Sequence, residues 1–232
     1  MTKAPDQPGT RQRAAVLISG RGSNMAALAA ASHDPAYPVQ FVLALSNRAE
    51  APGLALAATL GLPTKVVPHR PFAGDRAAHE AAIDAVLHEA DIQIVCLAGY
   101  MRLMTPLLVE RWAGRMLNIH PSLLPAFPGL DTHARALNAR VRLHGCTVHL
   151  VTQTMDAGPI LAQAAVPVLP DDTEGTLAAR VLAQEHIIYP LALRLFALRQ
   201  AGNVPPGDAA LLNPAPSPPG SGNPLRADAA LP

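Results

Sequence analysis

Two polar residues stand two positions apart in Met116-Leu-Asn-Ile-His-Pro-Ser-Leu-Leu-Pro125. In an extended segment, residues i and i+2 point to the same face. Asn118 and His120 would therefore project side by side, with Leu117 and Ile119 buried behind them. Pro121 keeps His120 out of the helical region, and Pro125 closes a short stiff loop. An amide donor beside a titratable imidazole at a strand end could hold a developing negative charge and move a proton. A buried strand with satisfied polar partners would show the same pattern.

A carboxylate changes that balance. Asp156 lies in Met155-Asp-Ala-Gly-Pro159, where an aspartate in a Gly/Pro loop is ordinarily a turn former. Brought to the same sheet edge as Asn118 and His120, it completes a set suited to acyl transfer. The amide and a protonated imidazole stabilise an oxyanion, while the carboxylate tunes His120 and helps transfer the proton.

A second motif, Gly20-Arg-Gly-Ser-Asn24, follows an apolar run and opens a helix. Glycines allow close backbone approach, and a helix N-terminus offers free N–H groups to an anion. A dinucleotide fingerprint would need a third glycine and an acidic residue near the end of the second strand. The chain has Met25 at the first position and ends that strand Leu45-Ser46-Asn47. A monophosphate fits better; a tight turn with Ser23 capping the helix is the plainer alternative.

Other candidates are weaker. Arg76 begins a helix and could bind an anion or simply be exposed. His33, His79, His88, His144 and His186 read as surface or helix-face residues. Asp131, Thr132, His133 and His149 could line the site, but their spacing makes no zinc set.

The elements that position these residues follow from hydrophobic patterning. Continuous apolar runs at 14–19, 39–46, 64–67 and 92–98 read as strands buried on both faces. Helical patterns fall at 24–31, 53–60, 75–89 and 106–112, with Pro106 suited to a first turn. The Asn118/His120 strand comes next. Residues 146–152 alternate with period two, and 159–167 is strand-like with no helix between, which fits an antiparallel pair or a sharp reversal. A helix from Glu174 to Gln200 contains Pro190, a kink signal.

This rhythm gives an α/β fold: an open, mostly parallel twisted sheet with helices on both faces and an antiparallel addition in the C-terminal half. Residues 1–12 read as a disordered lead, 13–202 as the domain, and 203–232 as a Pro/Gly-rich disordered tail.

Composition narrows the classes. Of 232 residues, half are hydrophobic, enough for a sizeable core. A net charge of +1 with scattered Lys and Arg lacks the basic footprint of a nucleic-acid binder. Aromatics at 3% leave little for base stacking. Cys96 and Cys146 sit in apolar runs and read as buried free thiols. Residues 1–12 hold no apolar signal region, and no apolar run reaches the ~18 residues of a membrane span. A cytoplasmic protein without membrane or nucleic-acid partners is expected.

Val16-Leu-Ile-Ser-Gly-Arg-Gly-Ser-Asn24, Leu97-Ala-Gly-Tyr-Met-Arg102, Leu117-Asn-Ile-His-Pro-Ser-Leu-Leu-Pro125, Pro128-Gly-Leu and Met155-Asp-Ala-Gly-Pro159 share a further property. In order and spacing, the chain over about 14–200 resembles the phosphoribosylglycinamide formyltransferases, folate-dependent enzymes of purine synthesis. The Asn-x-His-Pro stretch and the Asp loop are common to the wider formyltransferase family. The Gly-Ser-Asn loop and Gln184-Glu185-His186 narrow the resemblance.

The resemblance implies a Rossmann-like formyltransferase fold and small-molecule substrates, 5'-phosphoribosylglycinamide and 10-formyltetrahydrofolate, with no metal. Gly22, Ser23 and Asn24 would hold the substrate phosphate, and Glu185 the glycinamide end. Arg76 and the loop Met101, Arg102, Leu103 and Met104 would contact the folate, with its pterin in an apolar cleft. Asn118 and His120 would hold the formyl oxygen, with Asp156 tuning His120. A monomer or homodimer is expected.

The chain departs from the pattern at Asp131, at Ala157 and in the tail after Asn203. The nearest rivals are other formyl-folate enzymes. A methionyl-tRNA formyltransferase would carry a further C-terminal domain, and a formyltetrahydrofolate hydrolase an N-terminal one. A phosphate-binding regulator without chemistry is the rival from another class.

Overall fold

The computed structural model describes residues 11–202 and 210–212. Strand β1 (Gln12–Ile18) leads through a glycine loop to helix α1 (Ser23–Ala31). Then come β2 (Val39–Ser46), α2 (Pro52–Thr59) and β3 (Thr64–Val66). A 3-10 turn at Arg70–Phe72 precedes α3 (Arg76–Glu89), which is capped by Asp75 accepting from the Ala78 amide at 2.9 Å. Next are β4 (Ile94–Leu97), α4 (Pro106–Arg111), β5 (Met116–His120) and α5 (Thr132–Asn138). The last elements are β6 (Leu143–Leu150), β7 (Ile160–Pro167), α6 (Glu174–Gln200) and β8 (Ala210–Leu212).

The strands form one sheet in the order β3-β2-β1-β4-β5-β6-β7-β8. The first five run parallel; β6 is antiparallel to both β5 and β7. The open parallel sheet with an antiparallel addition is thus as the sequence indicates. The chain moves outward from β1 to β3 and then returns to β4 on the other side of β1. That reversal opens a crevice at the C-terminal ends of β1 and β4, where such sheets bind ligands.

Each face has its own core. Val16, Ile18, Leu117, Ile119, Leu177 and Tyr189 belong to one, Leu17, Leu45, Ile83, Val95, Trp112 and Met116 to the other. Covering both faces explains why the parallel strands read as unbroken apolar runs. Tyr189 on α6 reaches the carbonyls of Leu97 and Leu117, each at 3.1 Å, and so ties the helix to β4 and β5. Helix α6 continues through Pro190, whose carbonyl accepts from the Tyr37 hydroxyl at 2.7 Å.

Several expectations need adjustment. By length and composition α6 is apolar enough to cross a membrane, although no unbroken apolar run marks it. Its inner side chains, from Leu177 to Phe196, are buried on the sheet, as in the core helix of an α/β domain. Helix α5 was not visible in the sequence: of its seven residues only Thr132 and Ala136 are buried, too few for an apolar stripe. His79 and His144 are not surface residues, each being 1% exposed. Cys96 and Cys146 are buried and unpaired. Strand β8 lies within the stretch expected to be a disordered tail, parallel to β7. Ala210-Leu-Leu is a short apolar run there, and the edge of β7 offers it free backbone groups. Of the expected lead at 1–12, Gln12 already belongs to β1, while residues 1–10 and the remainder of the tail lie outside the described residues.

Candidate active site

Strand β5 alternates as its sequence demands. Leu117 and Ile119 enter one core, leaving Asn118 and His120 on the opposite face. In the antiparallel ladder Asn118 stands opposite His149, and His120 opposite Thr147. Asn118 Nδ2 lies 3.2 Å from His149 Nε2, while His149 Nδ1 lies 3.0 Å from the Leu150 carbonyl oxygen. Only an N–H at Nδ1 satisfies that carbonyl, so Nε2 accepts from the amide. One of the two Asn118 amide hydrogens remains for a ligand. Burial lowers the His149 pKa, opposed by the Leu150 carbonyl and by Asp156, which agrees with this neutral ring.

His120 has the complementary arrangement. Its Nε2 lies 3.0 Å from the Phe127 carbonyl oxygen and therefore carries a hydrogen. Nδ1 faces Asp156 Oδ2 at 3.5 Å, within ion-pair range but longer than a good hydrogen bond. The other carboxylate oxygen lies 3.7 Å from His149 Nε2. Asp156 thus stands between two imidazoles, and the Gly129 amide holds Oδ2 at 2.8 Å. Asn118, His120 and Asp156, grouped from the sequence, lie together in the fold, and His149, which the sequence offered only as a residue that could line the site, lies among them. Its position opposite Asn118 becomes visible only once β5 and β6 pair.

The loops around this cluster are held in unusual conformations. Phe127, Asp131 and Asp156 all have positive φ, at 53°, 54° and 53°. Each costs conformational energy that the surroundings must offset. Gly158 lets the Asp156 loop lie against β6: a Cβ there would sit 1.8 Å from the Leu150 carbonyl oxygen. Thr147 fixes the loop after β5, donating to the Ser122 carbonyl at 2.6 Å and accepting from the Leu124 amide at 3.0 Å. Thr147 had no sequence signal beyond its place in an alternating strand.

The glycine loop forms a separate subsite. Gly22 is the N-cap of α1, with φ 76° and no side-chain cap bond. Ser23 is therefore the first helical residue and not the cap that its position suggested. A Cβ on Gly22 would come within 3.1 Å of Gly53 Cα, so the loop packs closely on the start of α2. Asn24 Nδ2 donates to Glu185 Oε2 at 2.6 Å, and Asn24 Oδ1 has no partner among the described residues. Burial raises the Glu185 pKa and the Asn24 amide opposes it. Glu185 thereby sits with the glycine loop; no described contact joins it to Asn118, His120 or Asp156.

A third wall follows β4. The Met101 amide donates to Ser19 Oγ at 2.8 Å, and Ser19 Oγ donates to Asn47 Oδ1 at 2.6 Å. At the far end of the loop the Thr105 amide donates to Glu80 Oε1 at 2.7 Å, so a buried acid of α3 anchors it. Met101, Leu103, Leu130 and Met155, from three loops, are all more than half exposed. Met104 packs against the Trp112 core. Arg76 is exposed and has no described contact with the 101–104 loop. Among the described residues no three His, Cys, Asp or Glu side chains converge as metal ligands would.

This sheet-edge cluster of an amide, two imidazoles and a carboxylate, with a glycine-loop helix start on the same sheet, has close counterparts. Residues 12–193 match a family model described as formyl transferase, and the chain belongs to that family. The chain is 44% identical over 185 residues to phosphoribosylglycinamide formyltransferase of Escherichia coli, covering 78% of this chain and 85% of that one. A crystal structure of phosphoribosylglycinamide formyltransferase from Brucella melitensis superposes with a TM-score of 0.78 at 55% identity, covering 81% of this chain and 96% of that one. The trifunctional purine biosynthetic protein adenosine-3 of Bos taurus is 48% identical over 187 residues, 81% of this chain. This chain spans only 18% of that trifunctional protein's length.

Proposed function

We propose that the chain transfers the formyl group of 10-formyltetrahydrofolate to the amine of 5'-phosphoribosylglycinamide. The convergence of Asn118, His120 and Asp156 at one sheet edge supports this most directly. The amine attacks the formyl carbon and forms a tetrahedral intermediate. Its oxyanion takes the free Asn118 amide hydrogen and a hydrogen from His120. With Nε2–H held by the Phe127 carbonyl, Nδ1 is the His120 nitrogen able to exchange a proton with substrate. The bond from the formyl carbon to N10 then breaks. The attacking nitrogen loses one proton and N10 gains one, relayed by Asp156 and water. No metal takes part in these steps.

Gly22, Ser23 and Asn24 hold the ribonucleotide phosphate on the first turn of α1, where backbone N–H groups and the helix dipole favour an anion. Glu185 fixes Asn24 and faces the remainder of that substrate. The pterin lies among the exposed apolar side chains of the 101–104 and 155 loops, and Arg76 meets the folate from α3. The protein works in the cytoplasm as a monomer or homodimer, with neither nucleic acid nor membrane as a partner; sedimentation measures the oligomeric state.

The test mixes protein, 10-formyltetrahydrofolate and glycinamide ribonucleotide and follows the deformylated folate. Product that requires the ribonucleotide is the expected result. Product without it would point to a hydrolase, and no product to a phosphate-binding regulator.

A further inference from the structure

His120 belongs to a row of polar side chains that crosses three strands. It pairs with Thr147 on β6, and Thr147 pairs with Gln163 on β7. Directly opposed positions in antiparallel strands carry their side chains on the same face. The row ends in an amide that takes no part in the formyl transfer described above. Gln163 Nε2 lies 2.8 Å from the Leu124 carbonyl oxygen and 3.0 Å from Thr147 Oγ1. That carbonyl can only accept, so the NH2 end of the amide faces both oxygens and has one hydrogen for each.

This amide acts on the loop after β5. Thr147 Oγ1 accepts from the Leu124 amide at 3.0 Å and donates to the Ser122 carbonyl at 2.6 Å. With the Gln163 hydrogen added, both its lone pairs and its own hydrogen are engaged. Leu124 is thus held at its N–H by Thr147 and at its C=O by Gln163, and at 4% exposure it has little access to water as a substitute. Ser122 Oγ donates to the Ala126 carbonyl at 2.6 Å and stiffens the stretch that follows. That stretch delivers the Phe127 carbonyl to His120 Nε2 at 3.0 Å and the Gly129 amide to Asp156 Oδ2 at 2.8 Å. No described hydrogen bond joins Gln163 to the glycine loop or to residues 101–104.

We infer that Gln163 is a positioning residue for formyl transfer: by holding Leu124 it aims the Phe127 carbonyl at His120 Nε2, and so keeps Nδ1 as the nitrogen that faces Asp156 and the substrate. The inference rests on the formyl-transfer reading above. Gln163 touches neither a substrate nor the reacting atoms, so its loss acts on kcat and leaves KM in place. Thr147 still holds the Leu124 amide when Gln163 is gone, and the loop shifts only in part. The cost is therefore about tenfold, below the ~10² of a full 1 Å misplacement.

The experiment compares the full chain with Gln163→Met, which keeps the length but cannot donate, and Gln163→Glu, which donates only when protonated. With 10-formyltetrahydrofolate and glycinamide ribonucleotide varied in turn, Gln163→Met should show kcat about tenfold lower and both KM values within about twofold of the wild type. In Gln163→Glu the new carboxyl faces two oxygens, which raises its pKa above the usual ~4.3. Its kcat deficit, taken as a ratio to the wild type at each pH, should be about tenfold or more at pH 8 and several-fold smaller at pH 5.5. A Gln163→Met kcat equal to that of the wild type overturns the inference, as does a loss confined to KM or a Gln163→Glu deficit that ignores pH. If Gln163→Met fails to fold by circular dichroism, the pH dependence of Gln163→Glu decides. Nitrogen NMR of the imidazoles reads the His120 tautomer without turnover: Nε2–H in the wild type, a mixture in Gln163→Met. If the wild type transfers no formyl group, the formyl-transfer reading fails, while that change of tautomer still supports the positioning role; an unchanged tautomer refutes it.

Discussion

His144 makes the protein sensitive to acid through the loop that holds His120. The ring is 1% exposed and packs edge-on against Phe127, at 5.9 Å between centroids, and against His133 at 5.2 Å. Neither ring nitrogen has a hydrogen bond, though the Pro121 carbonyl lies near enough to favour the charged form slightly. Burial above all, then the neighbouring His133, lowers its pKa from 6.5 to about 4. Above pH 6.5 both folded and unfolded chains hold it neutral. Between 6.5 and 4 only the unfolded chain takes the proton, so stability falls as pH falls. Below 4 the loss is complete, at about 3 kcal/mol, and about 2 kcal/mol is already gone at pH 5.

Urea unfolding at pH 7.5 and 5.0 measures this, because a loss of about 2 kcal/mol lowers the midpoint by about 1 M. The wild-type drop is steeper than this one residue supplies, since burial also lowers the pKa of His79, His133, His149 and His186. His144→Gln, which cannot titrate, isolates the single contribution by difference. Its midpoint should fall about 1 M less than the wild type's between the two pH values. Equal falls in both proteins would refute the assignment. In the folded protein His144 itself charges only near pH 4, so any loss of activity through this ring, by displacing Phe127 and taking its carbonyl from His120 Nε2, should begin there and not at pH 6.5.

Asn118→Ala removes the free amide hydrogen and should lower kcat by about 10²–10³; steady-state assays read it, and near-normal turnover would remove Asn118 from the oxyanion role. His120→Ala should cost at least as much. Gly158→Ala sets a methyl against the Leu150 carbonyl and shifts the Asp156 loop, so kcat should fall by about 10² with the fold retained by circular dichroism. Asp84 accepts from Trp112 Nε1 at 2.9 Å and pairs with Arg111, holding α3 to α4. Asp84→Ala should destabilise by about 2 kcal/mol in urea unfolding while leaving kcat within twofold, because it leaves a buried indole N–H unpaired.

The chain's apolar runs determined the sheet, since strands covered on both faces leave no other pattern. Two-residue spacing likewise determined that Asn118 and His120 share a face. Pro121 and the Gly/Pro context of Asp156 marked both as ordered loops. None of these local features states which loop meets which strand. The antiparallel ladder set His149 against Asn118, and the positive-φ turns at Phe127 and Asp156 aimed a carbonyl at one side of His120 and a carboxylate at the other. Glu80, Thr147 and the Ser19–Asn47 link are separated from their partners by 20 or more residues. Periodicity reports burial along one element, whereas these contacts form between elements. The sequence therefore determined which groups could act. Tertiary packing decided which imidazole nitrogen faces the carboxylate, and which arginines, Arg48, Arg70 and Arg102, share a cavity beside the 101–104 loop.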